Sequence, residues 1–270
     1  MTELICPVCG EPLTPESTRY ICKKNHSFDR AKSGYVNLLM RQKHRQRGDD
    51  SAMLAARRDF LNEGYYRPLL EAIAAEIPQE TRSIADIGCG EGWYSCNLLK
   101  AFPEASLAGF DISPDAVRYA AQRAKAEDCA ARSCWAVASV NHIPLANHRC
   151  DCILNLFAPC EPAEFSRILT KDGLLIRAVP LERHLWELKC AIYDQPYENR
   201  PVMQPPEGFT LVKEKTLCYP VTVSGDALHA LFAMTPYAHK TARSDADKLN
   251  AVKTLEISIA FGILVCRQEW

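Results

Sequence analysis

The sequence predicts an α/β protein, with a doubly wound, mostly parallel sheet of seven strands that follows a small cysteine-rich module. From Arg82 onward, short apolar runs alternate with helix-like segments, which is typical of βαβ units. Residues 6–26 instead place three cysteines and one histidine at close spacing. We therefore divide the chain into a cysteine-rich module (1–35), a basic connector with helices (36–80) and an α/β domain (81–270).

The opening module has the pattern Cys6-x2-Cys9-x12-Cys22-x3-His26. Two close pairs of soft ligands, separated by about a dozen residues, are typical of tetrahedral zinc. The module has little apolar bulk, so metal binding, worth roughly 10 kcal/mol in zinc-finger peptides, would supply its stability. Four protein ligands leave no position for water, which favours a structural ion. A redox CxxC would need a strand and helix around it, and only five residues precede this one.

Charge is distributed unevenly along the chain. Between Arg19 and Arg58 there are eleven Lys and Arg against three Asp, and because the net charge is −1, the remainder carries −9. Clustered basic residues favour a polyanionic partner such as nucleic acid. The aromatic and basic residues expected to form this surface are Tyr20, Phe28, Tyr35, Arg30, Lys32, Arg41, Lys43, Arg45 and Arg47.

Apolar spacing predicts the elements that follow. A helix is expected from Asp50 to about Asn62, and a second over Tyr65–Glu76 that ends before Pro78. A short helix, "PAEFSRIL", should be stopped by residues 171–173. The seven predicted strands are "RSIADIG", "SLAGFDIS", "CWAVAS", "CDCILNLFA", "GLLIRAVP" and a closing pair, "FTLVKEKTLCYPVTV" and "TLEISIAFGILVCR", antiparallel at the sheet edge.

The turn "DIGCGEG", residues 86–92, lies where the first strand gives way to a helix. Its glycines allow a sharp turn and close approach of a ligand to the backbone. A nicotinamide fingerprint would have glycine where Trp93 stands, so a ligand without a phosphate at the helix end is favoured. Asp111 ends the second strand, 23 residues after Gly88, and its carboxylate suits a ribose diol.

These motifs resemble those of class I S-adenosylmethionine-dependent methyltransferases, whose seven-stranded sheet is Rossmann-like. The resemblance implies that Asp111 binds the ribose diol and that Ser139 lies near the adenine edge. It also implies that four residues border the methionine and ribose: Asp86, Gly88, Gly90 and Glu91.

Over nearly its full length, the chain resembles the bacterial 23S rRNA (guanine-N1)-methyltransferases. The resemblance rests on the Cys-Cys-Cys-His module followed in order by "FDRAKSGYVNLL", "GYYRPL", "DIGCGEG", "HLWELK" and "AMTPY". It implies methylation of one guanine in a hairpin loop of domain II of 23S rRNA, by one of two subfamilies that act on neighbouring guanines. The implied zinc ligands are Cys6, Cys9, Cys22 and His26, and the implied cofactor contacts include Tyr66, Gly90, Glu91 and His184.

Two other functions are compatible with the same motifs. The zinc module would also suit a small-molecule methyltransferase, or a non-catalytic zinc-dependent RNA-binding protein with a relic cofactor fold. Candidate proton acceptors are Asp86, Glu91 and Glu161, whereas Tyr237 would stack on the base and Cys160 is a candidate nucleophile. Thirteen cysteines, an odd number, and no signal-like N-terminus favour reduced thiols in the cytoplasm. A homodimer would lengthen the RNA cleft.

Overall fold

A computed structural model describes residues 3–40 and 50–269 of the chain. The strands are β1 (Leu13–Pro15), β2 (Arg19–Cys22), β3 (Ser27–Asp29), β4 (Val36–Asn37), β5 (Ser83–Ile87), β6 (Ser106–Asp111), β7 (Ser133–Val137), β8 (Cys150–Leu156), β9 (Leu169–Pro180), β10 (Phe209–Ser224) and β11 (Thr254–Gln268). The α-helices are α1 (Ser51–Asn62), α2 (Arg67–Ala74), α3 (Trp93–Ala101), α4 (Pro114–Ala126), α5 (Pro162–Ile168), α6 (Trp186–Ile192), α7 (Gly225–Ala233) and α8 (Arg243–Ala246).

The main sheet is doubly wound and mostly parallel, as predicted. Its order is β10-β11-β9-β8-β5-β6-β7-β4. Strands β4 to β9 run parallel, and β11 pairs antiparallel with both β9 and β10, as predicted for the closing strands. The seven predicted strands are β5 to β11. An eighth, the two-residue β4, comes from the segment predicted as connector and pairs with β7.

Helix bounds follow local sequence signals. Helix α1 begins one residue after the predicted start, because the Asp50 carboxylate caps it by accepting a hydrogen bond from the Met53 N–H at 2.9 Å. Helix α5 ends within one residue of its predicted end, but the residues expected to stop it were wrongly predicted to form a turn. That helix ends at Ile168, and residues 171–173 lie inside β9, where the register against β8 shifts between Cys150 and Cys152. The turn-like residues therefore mark an irregularity within a strand.

The two faces of the sheet belong to different hydrophobic cores. Ile84 and Leu154 lie in the core formed with α1 to α4, α6 and α7. Ala85 and Ile153, one position away along β5 and β8, lie in the core shared with the cysteine-rich module and α5. Because successive side chains in a strand point to opposite faces, this alternation tells which face each later residue occupies.

The cysteine-rich module rests on the second of these faces. It consists of the antiparallel strands β1, β2 and β3. Leu4 forms a bridge with Leu145, and the Ile5 N–H donates to the Pro144 carbonyl at 2.9 Å. The module is thus anchored beside the strand ends. Among the described helices, none has the length and apolar character needed to cross a bilayer.

Candidate functional site

The four soft ligands of the opening module converge on one point. The ligand atoms of Cys6, Cys9, Cys22 and His26 all lie within 4.8 Å of one another. The Cys9 and Cys22 sulfurs are 3.7 Å apart, and His26 Nδ1 is 3.5 Å from the Cys6 sulfur and 3.4 Å from that of Cys22. A tetrahedral ion with Zn–S of about 2.3 Å and Zn–N of about 2.0 Å separates its ligands by roughly 3.5 to 3.8 Å. The donor set and its spacing fit zinc.

A second site is a cavity of about 1540 Å³ at the carboxyl ends of the parallel strands. This edge of a doubly wound sheet is where such folds bind ligands. Most of the predicted cofactor residues line the cavity. They are Tyr66, Asp86, Gly88, Gly90, Glu91, Asp111 and His184.

The glycine turn shapes the wall of this cavity. Gly88 and Gly90 have φ of +84° and +55°, a region that favours glycine. A Cβ on Gly88 would lie 2.3 Å from the Ala158 Cβ, so this glycine permits close packing of the turn against the loop after β8. A Cβ on Gly90 would meet nothing within 4 Å. It would project into open space, where a ligand can approach the backbone.

Asp111 closes the turn onto the end of β6. Its Oδ2 accepts a hydrogen bond from the Gly90 N–H at 3.0 Å, and its Oδ1 accepts one from the Ser113 N–H at 2.8 Å. A carboxylate has about four acceptor positions, which suits it to a ligand that carries two hydroxyl groups. The position suits the ribose diol that the sequence predicted for it.

Asp86 is buried at the end of β5, with 2% of its surface exposed. The Ser95 hydroxyl donates to its Oδ2 at 2.5 Å. Burial raises the pKa of Asp86 to about 7, the charge of Asp111 acts in the same direction, and the Ser95 hydrogen bond opposes both. A cationic group brought beside Asp86 would favour its charged form, which fits the ammonium of an amino-acid ligand.

Glu91 reaches the cavity but is held by another residue. Arg123 donates to the same Glu91 oxygen from Nε at 2.9 Å and from Nη2 at 2.6 Å. Burial raises the pKa of Glu91, whereas the Arg123 guanidinium opposes that rise. The ion pair ties α4 to the start of α3. A proton-accepting role for Glu91 is therefore disfavoured.

Tyr66 and His184 form a buried pair on the cavity wall. The Ala260 N–H donates to His184 Nδ1 at 3.2 Å, so the proton of the neutral ring is on Nε2. Nε2 lies 3.3 Å from the Tyr66 hydroxyl oxygen and donates to it. Burial, helped by the charge of Lys189, lowers the pKa of His184 to about 3. The Tyr66 hydroxyl keeps its own proton for a ligand in the cavity.

Lys189 fixes a further wall. It is fully buried on α6, and its Nζ donates to the Tyr197 carbonyl at 3.0 Å and to Asn199 Oδ1 at 2.7 Å. The same ammonium lies 4.4 Å from the ring centre of Tyr197 and 5.6 Å from that of Tyr237. Tyr237 lines the cavity, as a ring that stacks on a base would. Lys189 thus positions aromatic side chains.

Three predicted residues lie outside the cavity lining. Ser139 is buried between Ala138 and Val140, which do line it, and its Oγ accepts the Asn141 N–H. Glu161 precedes α5 and does not reach the cavity, which disfavours it as a proton acceptor. Burial raises the pKa of Cys160, so its thiol stays protonated at neutral pH and is a poor nucleophile.

Sequence reasoning missed three cavity residues. Asn155 and Arg177 lie at the ends of β8 and β9, and a lone arginine within the apolar run "GLLIRAVP" was the signal for the second. Phe157 follows β8 with φ of +58°, lines the cavity wall and is 46% exposed. A bulky residue in the left-handed region is uncommon and clusters at functional sites.

Only some of the residues predicted to form the RNA-binding surface are exposed in the structure. Tyr20 is buried in the module and does not present its ring to a partner, and Phe28 and Tyr35 are partly buried. Arg30 and Lys32 are exposed. The basic residues 41, 43, 45 and 47 lie outside the described residues.

Two family models match the chain. The zinc-ribbon model described as "RlmA, N-terminal" matches residues 4–47, and the model described as "Methyltransferase domain" matches residues 84–173. The first covers the four-ligand cluster. The second covers the glycine turn and the carboxylates at the ends of β5 and β6.

Curated relatives match at full length. The 23S rRNA (guanine(748)-N(1))-methyltransferase of Streptomyces fradiae is 31% identical over 275 residues, 98% of this chain and 96% of the relative. YxjB of Bacillus subtilis, provisionally named 23S rRNA (guanine-N(1)-)-methyltransferase, is 32% identical over 277 residues, 96% of this chain and 95% of the relative. A solved structure titled as the [4+2]-cyclase SpnF gives a TM-score of 0.51 at 16% identity, over 75% of this chain and 80% of that one. That likeness concerns the fold alone.

Proposed function

The chain belongs to the 23S rRNA (guanine-N(1))-methyltransferase family, and from that premise we propose that it methylates N1 of one guanine in 23S rRNA. The supporting observation is the joint presence of two features: the cysteine-rich module (1–35, called the ribbon below) with its four ligands, and a cavity lined by Asp86, Asp111 and the glycine turn. Action on ribosomal RNA would place the enzyme in the cytoplasm.

The cofactor would bind at the end of the cavity lined by residues on the face of the sheet that carries α3. Asp86 would hold the ammonium of the methionine part, Asp111 the ribose diol, and the open space at Gly90 would admit the ligand close to the backbone. The Tyr66 hydroxyl, oriented by neutral His184, would donate to the cofactor. When bound, S-adenosylmethionine supplies a methyl group on a positively charged sulfur.

The guanine would enter the same cavity as the cofactor. N1 carries a proton at neutral pH, so transfer requires its loss and the shielding of the reacting atoms from water. Phe157 and Tyr237 offer aromatic faces on which a base taken out of its stack can rest. The exposed Lys23, Lys24, Arg30 and Lys32 would follow the phosphates. A second copy of the chain would extend this surface.

The small-molecule alternative is less well supported. Matches to malonyl-[acyl-carrier protein] O-methyltransferases are local, as in the Hahella chejuensis protein, which is 36% identical over 117 residues, 41% of this chain and 40% of the relative. The non-catalytic alternative is disfavoured because the glycine turn and both acids line an open cavity.

The experiment is methyl transfer to unmodified 23S rRNA and its domain II fragments with labelled S-adenosylmethionine. We expect label in a single guanine, mapped by reverse transcription, which stops at N1-methylguanine because the methyl group blocks base pairing. Asp111→Ala, which removes the acceptor for the diol and for the Gly90 N–H, should abolish labelling. Label at another atom or base, or none on RNA, would overturn the proposal.

A further inference from the structure

Arg177 is a buried cation at the end of β9 that lines the cavity, with 8% of its surface exposed. It pairs in register with Asn155 on β8. Asn155 lies two positions after Ile153, and Arg177 two after Leu175, both in the core shared with the ribbon. Strand alternation therefore puts both side chains on the ribbon side of the sheet. Asp86, two positions after Ile84, is on the opposite side.

The guanidinium of Arg177 lacks an acidic partner. Its Nε donates to Asn155 Oδ1 at 3.4 Å, and its Nη1 donates to the Gln204 carbonyl at 3.5 Å, both long bonds to neutral oxygens. Within the described residues, no carboxylate lies in ion-pair range of it. Its ionisable neighbours Cys160 and Cys266 are thiols whose pKa burial raises, to about 11 for Cys266. Both thiols are uncharged at neutral pH.

Arg123 is a largely buried arginine of this protein that, unlike Arg177, has acidic partners. It is similarly secluded, with 12% of its side chain exposed, and it contacts Glu91 at 2.6 Å and Glu127 at 2.8 Å. A buried charge without a partner costs several kcal/mol, so such groups are retained where a ligand completes them. Arg177 faces the cavity, which makes the missing acceptor a group on the substrate.

Asn155 orients this arginine. Its Nδ2 donates to the Pro159 carbonyl at 2.9 Å, which turns its Oδ1 toward Arg177. The same bond holds the loop that carries Phe157. The aromatic face and the cation are therefore positioned by one side chain.

We propose that Arg177 binds O6 and N7 of the target guanine and stabilises the negative charge on O6 when N1 loses its proton. This inference rests on the proposed function. The planar fork of arginine matches O6 and N7 of guanine, whereas adenine presents an amino donor at the same place. O6 is conjugated with N1, so the electron pair left when the N1 proton passes to water is shared with O6. Contact at this edge leaves N1 free to form its bond to the methyl carbon, while the C–S electron pair goes to sulfur.

The test uses the full-length protein and the domain II hairpin that it methylates, with guanine, 7-deazaguanine or inosine at the target position. 7-Deazaguanine lacks the N7 acceptor, and inosine keeps O6 and N7 but lacks the 2-amino group. We expect the wild type to lose roughly tenfold in kcat/KM on 7-deazaguanine, the size of one charge-assisted hydrogen bond. Arg177→Gln should lose about a hundredfold on guanine and show no further loss on 7-deazaguanine. Its loss on inosine relative to guanine should equal that of the wild type.

A pH profile separates charge stabilisation from structure. The rise of kcat with pH, which reports loss of the N1 proton in the bound complex, should move to higher pH in Arg177→Gln and be partly restored in Arg177→Lys. Arg267→Gln, the same change at an exposed site on β11, should leave kcat/KM and the profile unchanged. S-adenosylmethionine affinity, measured by calorimetry, should stay within a few-fold in each variant, which shows that the fold is retained.

Two outcomes count against different conclusions. If Arg177→Gln keeps the wild-type sensitivity to 7-deazaguanine and the wild-type pH profile, Arg177 does not contact the base. If the wild type fails to methylate guanine N1 in the unmodified hairpin and in intact 23S rRNA, the proposed function itself is wrong.

Discussion

The ribbon and the main sheet are stabilised by different interactions. The ribbon has strands of three or four residues, and its four ligand atoms lie within 4.8 Å of one another. The sheet instead buries continuous apolar strands, such as Cys150–Leu156, between helices on one side and the ribbon and α5 on the other. A few donor atoms decide the fold of the first region, whereas distributed packing decides that of the second. A substitution in one region should therefore disrupt that region and leave the other folded.

The largest effect is expected from Cys9→Ser, which removes one of the four proposed zinc ligands. Because metal binding contributes roughly 10 kcal/mol to such modules, the ribbon should open and zinc content fall from one ion per chain to near zero. S-adenosylmethionine affinity should remain within a few-fold, and affinity for the rRNA hairpin should fall. Elemental analysis, calorimetry and limited proteolysis measure these three effects.

The matched control is Cys190→Ser, which alters an exposed cysteine on α6 outside the cluster. Its zinc content and RNA affinity should equal those of the wild type. Loss of cofactor binding together with zinc in Cys9→Ser would mean that the two regions fold as one unit, and the comparison would fail.

The next largest effect is a pH dependence of the free energy of unfolding, and it arises from a residue of the main sheet. Asp86 has a pKa of about 7 in the folded chain against a usual 3.8, so the folded state holds a proton that the unfolded state releases between these values. Its contribution to stability is complete below pH 3.8 and is lost as pH rises through 7, about 4 kcal/mol in all. Asp86→Asn should remove this slope, as measured by denaturant unfolding from pH 4 to 8.

The same titration should be visible in cofactor binding. If charged Asp86 holds an ammonium, wild-type affinity for S-adenosylmethionine should fall about tenfold per pH unit below 7, and that dependence should flatten in Asp86→Asn. An equal slope in both proteins would mean that Asp86 does not carry the pH dependence.

Sequence patterns captured the two regions unequally well. Ligand spacing identified the ribbon because four donors at close sequence positions must converge, and apolar periodicity located α1 to within one residue. The start of β9 was missed because Gly173 is a turn signal, whereas tertiary pairing extends that strand back to Leu169. Arg177 was missed because its distinguishing property, burial without an acid, depends on which residues other strands bring near.

Substitutions in the glycine turn should have smaller effects on stability, and they distinguish a glycine needed for packing from one needed for ligand contact. Gly88→Ala should lower the free energy of unfolding by about 3 kcal/mol, because its Cβ would meet Ala158 and φ is positive. Gly90→Ala, with open space around its Cβ, should cost only about 1 kcal/mol. Its cofactor affinity should nevertheless fall at least tenfold, since the methyl group occupies the cavity. Thermal unfolding and calorimetry on the two variants make the comparison, and equal stability losses would contradict it.

The smallest effect concerns charges on the ribbon surface. Lys23 and Lys24 are exposed beside the ligand Cys22, so each is placed to neutralise one phosphate. Lys23→Ala with Lys24→Ala should weaken hairpin binding by less than about tenfold and lower the slope of log affinity against log salt by about 1.5. Lys213→Ala with Lys215→Ala removes the same charge from the opposite edge of the sheet, where both lysines pair with Glu76, and should leave the slope unchanged. If instead the second pair lowered the slope and the first did not, RNA would approach the enzyme over β10, and the ribbon would serve only to brace the fold.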